Sequence, residues 1–247
     1  MSAVLRSLDS LLQRPDVWRG DRLAATDVAT SGFAVLNAEL PGGGWPLGAL
    51  TELLADAAGI GELSLLLPVL QGVAREAPVA VVGLPGCAQA PAWAARFSLT
   101  QLLFVEARRE DIAWSVEQLL ACGGLGAVLA WLPEKVDGKV LRRLQLAAEG
   151  RRSLAFLFRP TASARTASPA PLRVRLAGSR EGLRLDILKR RGPPCGRSLL
   201  LKVERPLDPA CAALRLGMDG DASAGGGARD TRNTRKRGLH VISGMPR

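Results

Sequence analysis

Residues 41–70 read PGGGWPLGALTELLADAAGIGELSLLLPVL, and this stretch decides the fold of the chain. Its glycines and first proline predict a turn, and GALTELLA predicts a buried strand. A short glycine-rich loop then leads into a long apolar helix. Strand, glycine-rich loop and helix in this order are typical of a phosphate-binding loop, in which backbone N–H groups and a helix N-terminus face an anion.

The side chains that hold a nucleotide are missing from this loop. A loop of the type G-x-x-x-x-G-K-[ST] places a lysine against the phosphates and a hydroxyl on Mg²⁺. Here Gly61 stands at the lysine position, Glu62 stands at the hydroxyl position, and Gly59 completes the degenerate loop. A shift of register does not restore the motif, because no lysine precedes Lys135. We therefore expect a vestigial nucleotide loop, in which the carboxylates of Glu62 and Asp56 repel a triphosphate.

Downstream of this loop, apolar strands alternate with helices. Strands are predicted over residues 78–84, 101–106, 125–132 and 153–158, and helices over residues 61–76, 91–99, 109–122 and 139–150. This alternation predicts an α/β fold with a mostly parallel sheet that is flanked by helices. Hydrophobicity then alternates residue by residue over 172–176, 183–188 and 198–203. These three segments predict antiparallel strands at the C-terminal end of the sheet.

The predicted organisation has three parts. Residues 1–29 form an N-terminal amphipathic helix and a linker, residues 30–205 form the core, and residues 206–247 form a basic tail. The tail is low in hydrophobicity and rich in glycine, so we expect it to be largely disordered. Its patch Arg235, Lys236 and Arg237 precedes a few apolar residues and is a candidate segment for ordering on a partner.

Positive charge is concentrated in one part of the chain. Residues 1–141 carry 10 basic and 15 acidic side chains, whereas residues 142–205 carry 16 basic and 4 acidic ones, a net charge of +12. The tail adds 7 basic and 4 acidic side chains. A field of this sign suits a polyanion or an acidic protein partner.

Several classes of site and location are disfavoured by composition. The chain has one histidine, His240, and its four cysteines show no C-x-x-C spacing, so we expect neither a metal site nor a bound cofactor. The N-terminus is broken early by charged residues and does not read as a secretion signal. The longest uncharged run is interrupted by prolines and glycines and is a poor membrane span. These features predict a cytoplasmic protein without a membrane segment.

Three runs of sequence resemble a RecA-type core. They are LNAELPGGGWPLGALTELL before the degenerate loop, WAARFSLTQLLFV around the third strand, and LRRLQLAAEGRRSLAFLF near the end of the parallel part. Within that superfamily, GIGEL followed by SLLLPVL resembles the ImuA family, which is associated with translesion DNA synthesis and grouped with SulA. The resemblance covers roughly residues 30–205 and implies a RecA-like core.

Carried over position by position, the resemblance implies that the ATP site is lost. The acidic residue that would activate water corresponds to Pro85 or its neighbours, and the aspartate that would hold Mg²⁺ corresponds to Trp131. The phosphate lysine corresponds to Gly61. Phosphoryl transfer depends on positioned charges of this kind, so we expect that the protein is not an enzyme.

Unlike the ATP site, one of the DNA-facing loops of the RecA fold keeps a composition here that suits its role. The second mobile loop corresponds to residues 159–173 and is basic here. Candidate contacts to DNA or to a partner are Arg159, Arg165, Arg173 and Arg175. No aromatic residue interrupts this loop, so contact through phosphates is expected and base stacking is not.

The ImuA resemblance implies a non-catalytic accessory of SOS-induced, error-prone DNA synthesis. Its implied partners are an ImuB-like polymerase-related protein and an error-prone polymerase subunit, with RecA and single-stranded DNA as further candidates. Three alternatives stay open at this point. They are a SulA-like inhibitor that binds the tubulin-like division protein, a modulator of RecA filaments, and a genuine ATPase, which the missing lysine disfavours.

Overall fold

The apolar run after the glycine-rich turn forms a central strand of the sheet. The computed structural model describes residues 27–85, 97–203 and 240–242. Eleven strands are present in these ranges: β1 (Val28–Ala29), β2 (Trp45–Pro46), β3 (Leu50–Leu54), β4 (Val79–Val82), β5 (Leu102–Glu106), β6 (Ala127–Trp131), β7 (Leu154–Arg159), β8 (Leu172–Ser179), β9 (Gly182–Lys189), β10 (Ser198–Leu201) and β11 (His240–Ile242). The α-helices of the same ranges are α1 (Ala34–Asn37), α2 (Glu62–Val73), α3 (Ile112–Cys122) and α4 (Gly138–Ala148). Short 3-10 helices cover Pro41–Gly43, Leu99–Gln101 and Thr161–Arg165.

Nine strands form one sheet in the order β10-β9-β8-β3-β7-β6-β4-β5-β11. The six strands from β8 to β5 in this order run parallel, because each pairing among them is parallel. Antiparallel pairing begins beyond β8, where β9 and β10 extend the sheet. The predicted class is therefore confirmed: an α/β fold with a mostly parallel sheet flanked by helices and antiparallel strands at its C-terminal end.

Alternate residues of the central strands face two separate cores. Val79 and Val81 pack with α2 on one face, whereas Ala80 and Val82 pack with α3 and α4 on the other. All five residues of β3 are buried. Because helices cover both faces, the central strands read as continuous apolar runs, as buried parallel strands do.

The segment before the sheet packs closely against α2. Gly32 adopts φ +83°, and a Cβ at this position would lie 2.4 Å from Cβ of Pro68. A glycine is therefore required there by both conformation and space. Pro68 lies inside α2, which continues through it to Val73. The helix α1 spans only four residues.

The C-terminal tail contributes a strand to the sheet. Residues 240–242 form β11, which pairs antiparallel with β5 through His240 and Glu106, Val241 and Val105, and Ile242 and Phe104. Three residues of the tail, which is predicted to be largely disordered, therefore lie in a strand, because the backbone of β5 offers hydrogen bonds to a neighbouring strand. The predicted N-terminal helix, residues 91–96 of the predicted helix after β4, and Arg235, Lys236 and Arg237 lie outside the described residues.

The helices of the described ranges are short. None of those in residues 27–85 and 97–203 is long and apolar enough to cross a membrane. The longest, α2, spans 12 residues, against about 20 for a membrane-spanning helix.

Candidate functional site

The backbone N–H groups of the glycine-rich loop after β3 bind a carboxylate of the chain itself. The carboxylate of Glu62 accepts N–H hydrogen bonds from Gly59 at 2.7 Å, Ile60 at 2.9 Å and Gly61 at 3.1 Å. Glu62 is the first residue of α2 and is only 5% exposed. Consecutive N–H groups at a helix N-terminus are the donors that a phosphate-binding loop turns toward its ligand. Glu62 therefore uses the donors that a bound phosphate would need.

Glycine conformation shapes this loop. Gly59 has φ 76° and Gly61 has φ 107°, both in the region that side chains rarely adopt. A lysine at position 61, where the nucleotide-binding motif has one, would be strained in this backbone. The structure thus adds a conformational reason to the missing lysine, and it gives Glu62 a definite role in closing the loop.

A cleft of about 320 Å³ lies beside the loop at the carboxyl ends of the parallel strands. Its wall includes Glu62, Pro85 and Trp131, the positions at which sequence comparison predicted the loss of an ATP site. Clefts at this edge of a parallel sheet are the usual ligand sites of open α/β folds. The three predicted positions, distant in sequence, are therefore brought together at one place.

The side chains that line this cleft are already engaged. Asp56 accepts hydrogen bonds from the side chain and the backbone N–H of Thr161, and these bonds lower the pKa of the Asp56 carboxyl below its usual value. Trp131 stacks on Phe158, with ring centroids 4.2 Å apart and planes 8° from parallel. Both carboxylates that line the cleft, Asp56 and Glu62, therefore already accept hydrogen bonds from the chain.

A buried ion cluster adjoins the cleft. Glu52 of β3 is fully buried, and its carboxylate accepts from Arg159 at 3.1 Å, from Arg173 at 2.7 Å and from the hydroxyl of Ser168 at 2.6 Å. The parallel register of β3 and β8 sets Glu52 directly beside Arg173. A buried carboxylate needs partners of this kind, because an unpaired buried charge is very costly.

Arg173 also fixes the loop that was predicted to be mobile. Its guanidinium donates to the backbone carbonyls of Ser163 at 2.7 Å and Thr166 at 3.1 Å. Lys189 donates to the carbonyl of Ser168 at 2.7 Å, and burial of Lys189, followed by the positive charge of Arg173, lowers the pKa of that lysine. The expectation of a mobile loop is corrected, because these bonds hold residues 161–168 against the sheet.

The four predicted contact arginines occupy different environments. The side chains of Arg159 and Arg173 are 3% and 8% exposed and belong to the Glu52 cluster, so they are not available to DNA phosphates. Arg175 pairs with Asp186 at 2.8 Å on the open face of the antiparallel strands. Arg165 is exposed at the end of its 3-10 helix. The predicted four-arginine contact is therefore wrong for Arg159 and Arg173.

Sequence reasoning missed Glu52, although the signal was present. A glutamate inside an apolar strand that is buried on both faces requires buried cations, and Arg159 and Arg173 are those cations.

The described residues 27–85 and 97–203 contain no group of three or more His, Cys, Asp or Glu side chains that could hold a metal ion.

No protein-family model matches the chain, and none of the curated proteins matches it. Among solved structures, SulA from Pseudomonas aeruginosa is similar over 45% of this chain and 97% of that chain, with 18% identity and a TM-score of 0.38. The description of the fold rests on the strand order and not on this similarity.

Proposed function

We propose that the protein is a non-catalytic, RecA-like accessory of SOS-induced, error-prone translesion DNA synthesis. The observation that carries the non-catalytic part is the carboxylate of Glu62, which accepts three N–H bonds inside the glycine-rich loop. A triphosphate would have to displace this buried anion and would meet Trp131 where a metal-binding aspartate is needed.

The translesion part of the proposal rests on the ImuA-like run GIGEL followed by SLLLPVL. In this role the chain is an adaptor that joins an ImuB-like partner and an error-prone polymerase subunit in the cytoplasm. The concentration of positive charge in residues 142–205 supports a role close to DNA. No cofactor is required, because an adaptor acts through its surfaces.

Two measurements test the proposal. Purified full-length protein should release no phosphate from Mg-ATP above background; release that is abolished by changing Gly59, Gly61 and Glu62 together would contradict the non-catalytic assignment. In cells, removal of the protein should lower damage-induced mutation. If overexpression in undamaged cells causes filamentation and removal leaves mutation unchanged, a SulA-like role in division inhibition replaces the present one.

A further inference from the structure

The outer side of α4 is a stripe of basic residues. Four exposed residues of this helix, spaced three and four apart, share one face: Lys139, Arg142, Arg143 and Leu146. The opposite face is buried in the core through Leu141, Leu144 and Ala148. Since residues at i, i+3, i+4 and i+7 are neighbours on a helix surface, the three cations lie within about two turns.

An exposed tryptophan lies beside this stripe. Trp114 of α3 is 40% exposed, although tryptophan is mostly buried in proteins. The side chain of Arg143 crosses from α4 to pair with Glu117, which is three residues after Trp114 on the same face of α3. Trp114 therefore lies one helical turn from the residue that joins α3 to α4.

Most of the cations on this surface are not neutralised. Among the described residues, Lys139, Arg142 and Arg152 have no ionic partner, and each is exposed. Arg143 is paired with Glu117, and this carboxylate raises the pKa of the guanidinium. Arg151 donates to the carbonyl of Ala121 at 2.8 Å and so joins the end of α3 to the strand after α4.

Five acidic residues lie on or at the edge of this surface: Glu110 and Asp111 just before α3, and Glu117, Asp137 and Glu149. Glu117 is paired with Arg143, and Glu149 accepts from the amide of Gln145 at 3.2 Å. Asp137 accepts from the N–H of Lys139 at 2.9 Å and caps the start of α4. Three exposed cations, Lys139, Arg142 and Arg152, therefore remain without an ionic partner among the described residues, in contrast to the cleft, where the arginines are paired with Glu52.

We propose that the surface formed by α3 and α4 binds single-stranded nucleic acid. Lys139, Arg142 and Arg152 hold phosphates, and Trp114 stacks on an unpaired base. A cationic face together with an exposed aromatic ring is the combination that single-strand binding uses. A duplex would engage the cations alone, because its bases are already stacked on one another. This inference rests on the proposed function for its choice of DNA as the natural ligand.

The test measures binding of the full-length protein to fluorescein-labelled oligothymidylate and to a duplex of equal length, over a series of salt concentrations. The charge variant is Lys139→Ala, Arg142→Ala and Arg152→Ala together. Its matched control removes three exposed cations from the antiparallel end of the sheet, namely Arg180→Ala, Arg184→Ala and Lys202→Ala. Trp114→Leu removes the aromatic ring but keeps an apolar side chain, and Trp114→Phe restores a ring.

We expect Trp114→Leu to weaken binding to the single strand about tenfold, and Trp114→Phe to recover most of it. The charge variant should flatten the slope of log K against log salt by about 0.7 for each lost phosphate contact, which is about 2 in total. The control triple variant should change the slope much less, and the duplex should be insensitive to Trp114→Leu.

Equal losses in the charge variant and its control would overturn the proposal, because attraction would then come from a diffuse field. Unchanged binding in Trp114→Leu would overturn it as well. If both variants keep DNA binding but fail to bind an acidic protein partner, the surface is a protein interface instead. Failure of the translesion role is separate: the variants would then show these binding defects while removal of the protein leaves damage-induced mutation unchanged.

Discussion

Arginines are buried in one region of the molecule and exposed in another. Beside the cleft, Arg159 and Arg173 are buried against Glu52 and against backbone carbonyls. On the surface formed by α3 and α4, Arg142 and Arg152 are exposed and have no ionic partner among the described residues. Both regions belong to the same strongly basic part of the sequence, so charge density alone does not distinguish a structural cation from a binding cation.

The difference follows from the position of each residue in the sheet. Arg159 and Arg173 lie on β7 and β8 beside Glu52, and residues 161–168 cover Arg173, whereas a residue on the outer side of a covering helix faces water. The cleft region therefore satisfies its charges internally, through Glu52 for the arginines and through the loop N–H groups for Glu62. The helix surface leaves its charges available to a ligand.

The largest expected effect on stability comes from removing the negative charge of Glu52. Glu52→Gln leaves Arg159 and Arg173 buried without a carboxylate, and removal of one partner from a buried ion pair costs about 3–5 kcal/mol. Denaturant unfolding should report this loss as a lower midpoint with an unchanged slope. Glu117→Gln is the matched control, because its partner Arg143 is exposed, and its midpoint should barely move. Equal losses of stability in the two variants would show that the buried Glu52 cluster contributes no more than the exposed pair of Arg143 and Glu117.

A smaller effect is expected at the glycine-rich loop. Glu62→Ala leaves three N–H donors without their acceptor, and an unsatisfied buried donor costs about 1–3 kcal/mol. Inorganic phosphate should raise the melting temperature of this variant and leave that of the wild type unchanged, since only the variant offers an open anion site. The control is Glu76→Ala, at an exposed position after α2. Stabilisation of the wild type by phosphate would contradict the assignment of Glu62 as the resident anion.

Much of the fold was predictable, because the segment patterns agree with the tertiary structure. The predicted strands over residues 78–84 and 125–132 contain β4 and β6, and the loop that ends at Gly61 does lead into α2. Alternation after residue 172 correctly predicted antiparallel strands, because only one face of that part of the sheet is covered. The pairing of β11 with β5 was not predictable, since a three-residue strand leaves little signal in a polar tail.

The candidate site was predicted less well, for a definite physical reason. Arg173 ends the basic loop of residues 159–173, and for this reason it is predicted to contact DNA or a partner. In the folded chain Arg173 faces the Glu52 carboxylate and is covered by the loop of residues 161–168. Local sequence periodicity does not show that a loop covers a strand. The position of Glu62 was predictable from the motif, whereas its acceptance of three N–H groups depends on the backbone conformation of Gly59 and Gly61.

A pH-dependent effect is expected at the junction between α1 and the antiparallel strands. Burial raises the pKa of Glu39, but the hydrogen bonds from Arg190 and Arg197 outweigh this effect and leave the pKa below its usual value. A carboxyl with a lowered folded pKa stabilises the protein above its unfolded pKa of about 4.3, and this contribution is lost as the pH falls through the folded value. Wild type should therefore exceed Glu39→Gln in urea midpoint at pH 7, with the difference shrinking in acid. A difference that grows in acid would contradict the lowered pKa of Glu39.

The smallest expected effect concerns what is left of the predicted contact loop. Of its four arginines, two are buried and Arg175 is tied to Asp186, so Arg165 alone stays exposed without an ionic partner among the described residues. Arg165→Ala should flatten the salt dependence of single-strand binding by at most about 0.7, which corresponds to one phosphate contact. The melting temperature should not change, since Arg165 makes no hydrogen bond that holds the loop to the sheet. A change in slope as large as that of the variant with Lys139, Arg142 and Arg152 replaced would place the nucleic-acid contact back on the loop. It would also remove the difference between the cleft, where the arginines pair with Glu52, and the surface formed by α3 and α4, where the cations are available to a ligand.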